Sequence, residues 1–497
     1  MVFETHACYR LRRWALVCLS LLAVAINQHG LAQTDLDSLD SWVRHMQPDP
    51  FVRCGEAAWI RALDDTRERW LGTNHLEKVR LTNRLLQVLQ DSHTAVSAYD
   101  WIWDVERAFG TLPIRWHIEG GALWTLDSGL PGLPEGVRVL TLNGLDAESV
   151  VRAALDLAPM EGPSATATSR VGAHNITPYV LGITEQDTLT VTWVDPATNL
   201  PQGGAWSSLR KQAARQAWKR ISRRQPVVLW TFPDGSHLFN RDARRLAKSP
   251  RASSSIDGVT NLHIASFSRG TRRSYERRLR LGFAQLRAHR GPLVVSLRGN
   301  PGGQSHRMEL LWNHLSNVSV HLPYALVAKQ SAFTARINGR HYKRLRKRWV
   351  DKHLQTSAEA RYIHTMATMP VGRTDTLFFP KKHPNSQRHL GPVAVIIDGE
   401  SASASVSFAG AFQDQRRGPL LGEACMGPSN GTMGNPYVRR LPHSGIFVSL
   451  STAMYMAKPA ENWAAGTPIQ PDILVPDMWR NQTALQKAVD QWIQTLT

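Results

Sequence analysis

Pro392-Val393-Ala394-Val395-Ile396-Ile397 runs through Asp398-Gly399-Glu400 into Ser401-Ala402-Ser403-Ala404-Ser405, and this junction sets the architecture. The continuous apolar run predicts a strand buried on both faces of a parallel sheet. The small residues Ser407 to Phe412 predict a tightly packed helix after it. A serine at such a junction presents its hydroxyl at a helix N-terminus, where backbone N–H groups and the dipole favour a developing negative charge. An acyl-transfer enzyme would place its nucleophile there. A small-residue helix packed on a sheet produces the same run without chemistry, and the run contains three serines.

Working outward, the surroundings read as α/β. Asn261 to Phe267 and Pro292 to Leu297 are strands, with a helix over Arg272 to His289 between them. The second strand runs into Arg298-Gly299-Asn300-Pro301-Gly302-Gly303, a rigid turn whose glycine N–H groups lack side-chain obstruction. Leu420 to Glu423, Gly445 to Tyr455 and Pro471 to Val475 continue the pattern. Residues 330–390 interrupt it with basic and proline-containing sequence, read as an insertion serving as a lid or binding arm. Residues 113–200 have the texture of short strands and Gly/Pro turns, including Gly136 to Leu142 ending in Asn143-Gly144. Residues 33–112 are mainly helical, with Leu81, Leu85, Leu86 and Leu89 at helical spacing.

Bulk properties narrow the class. The 497 residues are 42% hydrophobic and 20% charged, which suits a multi-domain globular protein. Arg10, Arg12 and Arg13, the apolar stretch Trp14 to Ile26 and Gly30-Leu31-Ala32 predict a secretory signal over residues 1–32. An exported protein of the periplasm, cell envelope or medium is expected, with no transmembrane span after cleavage. Beyond Cys8 and Cys18 in the signal, Cys54 and Cys425 are the two candidates for a disulfide. Lys+Arg number 59 against 40 Asp+Glu, a net charge of +19. The charge clusters over Arg210 to Arg224, Arg272 to Arg290 and Arg336 to Lys352. No nucleic-acid motif accompanies it, so a solvated basic face or an attraction for acidic peptides is expected rather than specific nucleic-acid binding. No H-E-x-x-H motif or phosphate-binding loop occurs, so neither metal nor cofactor is expected.

Ser92-His93 supplies a candidate base. A serine hydroxyl is a poor nucleophile until a base takes its proton, and histidine suits that task near neutral pH. Taken together, Val294 to Gly303, Gly391 to Phe412, Leu421-Gly422-Glu423, Pro471 to Val475 and Asp91-Ser92-His93-Thr94 resemble the C-terminal-processing, or tail-specific, serine proteases, including their tricorn core protease relatives. The resemblance implies a Clp protease/crotonase-type core over 201–497, preceded by the N-terminal helical region and a PDZ-like β-rich module. It implies peptide hydrolysis through an acyl-enzyme on Ser403, with backbone N–H groups of Gly302 or Gly303 and of Ala404 as the oxyanion hole.

Two positions depart from the family pattern. Where the best-known branch carries a lysine base this chain has Pro428, and no lysine occurs from His383 to Ala457. The tricorn-like branch uses serine, histidine, a second serine and a glutamate, which here implies Ser403, His93, Ser92 and Glu461, with Glu423 as the other carboxylate. Ser296 stands where the family usually has aspartate, and a substituted hydrogen bond is expected there. A catalytically silent binding protein on this scaffold and an esterase are the competing readings.

Overall fold

The computed structural model describes residues 35–497 except 163, 211–212, 214–215, 217–226, 240–255, 290, 355–357, 382, 429, 458–465, 480 and 497. The signal sequence and most of the Arg210 to Arg224 cluster therefore lie outside the described residues.

At the centre is a six-stranded sheet in the order Ile473–Leu474, Leu420–Gly422, Val393–Ile397, Leu293–Ser296, Thr260–Ile264 and Val228–Thr231. All pairings are parallel except the last. Val393 to Ile397 is buried throughout, as an apolar run between two covered faces must be. On one face, helices Arg272–His289, Ser305–Leu315 and Ala404–Asp414 close a core around Trp230, Phe283, Trp312 and Phe408. Gly282 lets the first of these helices approach, because a Cβ there would lie 2.0 Å from the Trp230 ring. On the other face, helix Gln482–Gln494 covers Val294, Ile396 and Leu421.

A five-strand antiparallel path runs through Ile114–Glu119, Ala122–Ser128, Arg138–Leu142, Thr188–Val194 and Pro201–Ser207. Helices Ala147–Asp156 and Ile176–Thr184 pack against it around Val139, Val150, Val180 and Val191. Asn143 and Gly144 both have positive φ, as the Asn-Gly turn requires. Residues 330–390 carry helices Ala332–Leu345 and Ala358–Thr368 and strand Thr374–Phe378, the edge of a four-stranded antiparallel sheet. Gly445 to Tyr455 is two strands, not one. Phe447–Leu450 and Ala453–Met456 belong to different sheets, because Ser451 and Thr452 turn away to bond Thr94 and Asn435.

The N-terminal helices, including Glu56–Trp70 and His75–Gln87, share a core with Leu441, Val448 and Leu450 from the distant C-terminal part. Ala95–Val96 then joins Phe447–Leu450 as an antiparallel strand. This pairing carries the segment just before it, Asp91 to Thr94, back to the central part of the molecule. Cys54 and Cys425 are free thiols, so the open expectation of a disulfide is not met. No helix among the described residues is long and apolar enough to cross a membrane.

Candidate active site

The structure separates the three serines by their surroundings. Ser401 is fully buried, and its hydroxyl donates to Leu297 O at 2.8 Å and Asp398 Oδ1 at 3.0 Å. Ser405 is equally buried and donates to Asn300 O at 3.0 Å. Ser403 between them is partly exposed, and its hydroxyl has no hydrogen-bond partner among the described residues. It sits at φ 53°, ψ −116°, immediately before helix Ala404–Asp414. A non-glycine residue in such a region costs about 1–3 kcal/mol and is held there only by over-determining surroundings.

Those surroundings are the glycine turn. Asn300 is buried and fastens it: Nδ2 donates to Ile264 O at 2.9 Å, and O accepts from Ala402 N at 3.1 Å. Gly302 lies directly against the serine, since a Cβ on it would be 2.7 Å from both Ser403 Cβ and Ala404 N. The Gly302 N–H is already committed, donating to Asn300 Oδ1 at 2.9 Å. Of the two glycines expected at an oxyanion hole, only Gly303 therefore retains an unengaged N–H, and Ala404 offers another, among the described residues.

Asp398 ties the two turns together. Its carboxylate accepts from Gly299 N, Glu400 N, Ser401 Oγ and Trp479 Nε1 at 2.9–3.2 Å. Burial, and then the charges of Glu400 and Glu423, push this carboxyl up to about 7. Ser296 lies 3.2 Å from His263 Nδ1 and accepts from Arg298 Nε at 3.4 Å, the substituted hydrogen bond expected at that position.

His93 is held beside a buried polar cluster. Thr94 Oγ accepts from Ser451 N at 3.0 Å and Gln47 Nε2 at 2.6 Å, pinning the segment. Asp91 accepts the His93 N–H at 3.0 Å. Burial, then the neighbouring Glu161 carboxylate, push Asp91 above the ordinary carboxylate range. Ser92 donates through N at 2.9 Å and Oγ at 2.7 Å to Glu161 Oε2. Ser92 Oγ lies 3.5 Å from His93 Nδ1, which is 4.0 Å from both Asp91 Oδ1 and Glu161 Oε2. Two residues join this cluster to the serine turn. Gly427 packs on Glu161, where a Cβ would lie 2.3 Å from Cγ, and Met426 N donates to Ser401 O at 3.1 Å.

Glu161 is the residue the sequence reading missed. It stands between Pro159 and Pro163 in an irregular stretch, and no local pattern marks it. Glu461 lies outside the described residues. Glu423 is bound elsewhere: Arg170 Nη2 donates to it at 2.6 Å, while Arg170 Nη1 donates to His117 Nδ1 at 2.6 Å. It joins the β-rich part to the central sheet and is not part of the His93 cluster. A cavity of about 370 Å³ opens alongside helix Ala404–Asp414, lined by Ser407, Ala411, Asp414, Tyr324, Lys381 and Tyr455. Ser407 is one helical turn beyond Ser403.

The model of peptidase family S41 matches residues 258–475, the segment carrying Ser403 and both glycines. Among solved structures, mature CPAF is similar with a TM-score of 0.62 and 13% identity, over 94% of this chain and 98% of that one. CPAF complexed with lactacystin gives 0.64 and 12%, over 94% and 99%. At such identity the likeness is one of fold. None of the curated proteins compared with the chain matches it. Over the segment that builds the serine turn, residues 258–475, the chain is therefore similar to the peptidases of family S41.

Proposed function

We propose that the chain is an exported endopeptidase that cuts peptide bonds through an acyl-enzyme on Ser403, with His93 as general base. The observation that carries this reading is Ser403 itself, a strained residue whose hydroxyl has no partner among the described residues, packed against the glycine turn at Gly302 and immediately before the Ala404 N–H. His93 takes the Ser403 proton as Oγ attacks the scissile carbonyl carbon. The oxyanion is met by the N–H groups of Gly303 and Ala404, each worth about 3 kcal/mol in such a role. Collapse breaks the C–N bond, and the imidazolium returns its proton to the departing amine. Water, deprotonated by the same imidazole, then cleaves the ester and restores Ser403. Ser92 holds the imidazole, and the family resemblance adds Glu461.

The cavity along helix Ala404–Asp414 would receive a substrate side chain. The five-strand antiparallel module, read as PDZ-like, would capture an extended peptide by adding a strand. The exposed basic residues of helix Ala332–Leu345 favour acidic peptides and proteins as substrates. Export rests on residues 1–32, and mass spectrometry of the exported protein should find Gln33 at its N-terminus.

Wild type, Ser403→Ala and His93→Ala are compared on an unstructured quenched-fluorescence peptide and for labelling by a serine-directed fluorophosphonate. Both variants should lose turnover, and Ser403→Ala should lose labelling. Equal turnover in all three would refute the assignment. A fluorophosphonate-reactive wild type that cleaves esters but no peptide would make it an esterase.

A further inference from the structure

We propose that Glu161, gripped by the buried guanidinium of Arg53, is a positioning residue for the His93 imidazole, acting through Ser92. This rests on Ser403 and His93 being nucleophile and base.

Arg53 and Glu161 form an ion pair at 2.8 Å, their side chains 1% and 2% exposed. Removing two charges from water is costly, and only good geometry with further hydrogen bonds offsets it. Those bonds are present. Arg53 Nη1 also donates to Gln90 O, and Nη2 donates to Gly431 O at 2.8 Å. Glu161 Oε1 takes Arg53, and Oε2 takes both the N–H and the hydroxyl of Ser92. The pair therefore ties together four places in the chain, Arg53, Gln90 to Ser92, Glu161 and Gly431, and fixes one carboxylate oxygen beside the histidine.

The direction of the bonds gives the pair its meaning. Ser92 Oγ spends its proton on Glu161, so the oxygen faces Nδ1 of His93 as an acceptor, 3.5 Å away. A proton on Nδ1 is then favoured, and Nε2 is left with the lone pair that a base for Ser403 needs. Contacts of this kind are often loose without substrate and tighten with it. Asp91 and Glu161 both stand 4.0 Å from Nδ1, but the Arg53 cation is paired with Glu161. The absence of a side chain at Gly427 makes room for Glu161, because a Cβ would overlap Cγ.

The test uses the full chain and the quenched-fluorescence peptide. Glu161→Gln should lower kcat about 10–100-fold with KM within about twofold, the scale on which outer hydrogen-bond partners orient metal-bound histidines. The acid limb of kcat/KM should move to lower pH, because the imidazolium loses a neighbouring negative charge. Glu161→Asp should recover part of kcat and of the limb position. Should Glu161→Gln not fold, Arg53→Met/Glu161→Gln removes both charges and is expected to show a displacement in the same direction but smaller, because the lost cation is farther from the imidazole and offsets part of the effect. Wild-type kcat with an unmoved limb in whichever of these variants folds would overturn the inference. So would a limb that moves in Glu461→Gln and stays in place in Glu161→Gln. Ser403→Ala and His93→Ala serve as reference. If both remain active, the underlying assignment fails. If both are silent while Glu161→Gln is fully active, only the role of Glu161 fails.

Discussion

Replacing Gly302 by alanine probes the serine turn most directly. The new Cβ would lie 2.5 Å from Ala402 O and 2.7 Å from both Ala404 N and Ser403 Cβ. Two of these neighbours are backbone atoms, so no side-chain rotation relieves the overlap. The turn must open, carrying Ser403 and the Ala404 N–H with it. Gly302 also sits at φ +84°. For alanine that region costs about 1–2 kcal/mol, and the overpacking adds about 1–3 kcal/mol, a stability loss of ~2–5 kcal/mol. Displacing one oxyanion donor costs about 100–1,000-fold in kcat. Gly120→Ala is the control, because Gly120 has φ +56° but open space around its Cβ position. It should show the backbone cost alone with unchanged kcat. The assay is kcat on the quenched-fluorescence peptide at a temperature where circular dichroism shows both variants folded. Folded Gly302→Ala with kcat within about threefold of wild type would refute the placement of the hole.

Two further outcomes are expected. Asp398 holds its proton up to about 7 in the folded state, against about 4 when unfolded. The folded state binds more protons between those values, so this group's contribution falls as pH rises through that window. The stability of wild type relative to Asp398→Asn should therefore drop by up to about 4 kcal/mol from pH 4 to pH 8 in urea unfolding, and a flat difference refutes it. Arg336, Arg340, Lys343 and Lys347 lie on one face at helical spacing and are exposed. Replacing Arg340, Lys343 and Lys347 by glutamine should raise KM for an acidic peptide several-fold at low salt and leave a neutral peptide unaffected. The effect should fade near 0.5 M salt, where screening is short-ranged. Equal KM for both peptides at low salt would exclude substrate attraction by this face.

The parallel core was legible from its central strand, Val393–Ile397, an unbroken apolar run that fits a sheet covered on both faces. Helix Arg272–His289 was legible to the residue, and the Asn143-Gly144 turn announced itself by composition. The serine–glycine pairing was legible as motifs in order. What those motifs left open is a matter of individual atoms. Gly302 and Gly303 are the same residue type in the same turn, and only the fold shows that the Asn300 side chain takes the N–H of one.

Sequence alone determined the local structure and the residue types needed for acyl transfer, since periodicity and turn chemistry act over a few residues. Tertiary structure decided which atoms meet. Ser401 and Ser405 are withdrawn from chemistry by burial and by the carbonyls of Leu297 and Asn300. Ser92 meets Glu161 across 69 residues, because strand pairing at Ala95–Val96 and the Arg53 ion pair close that distance. No periodicity encodes such a contact. It arises where stretches distant in sequence bury the same pair of charges.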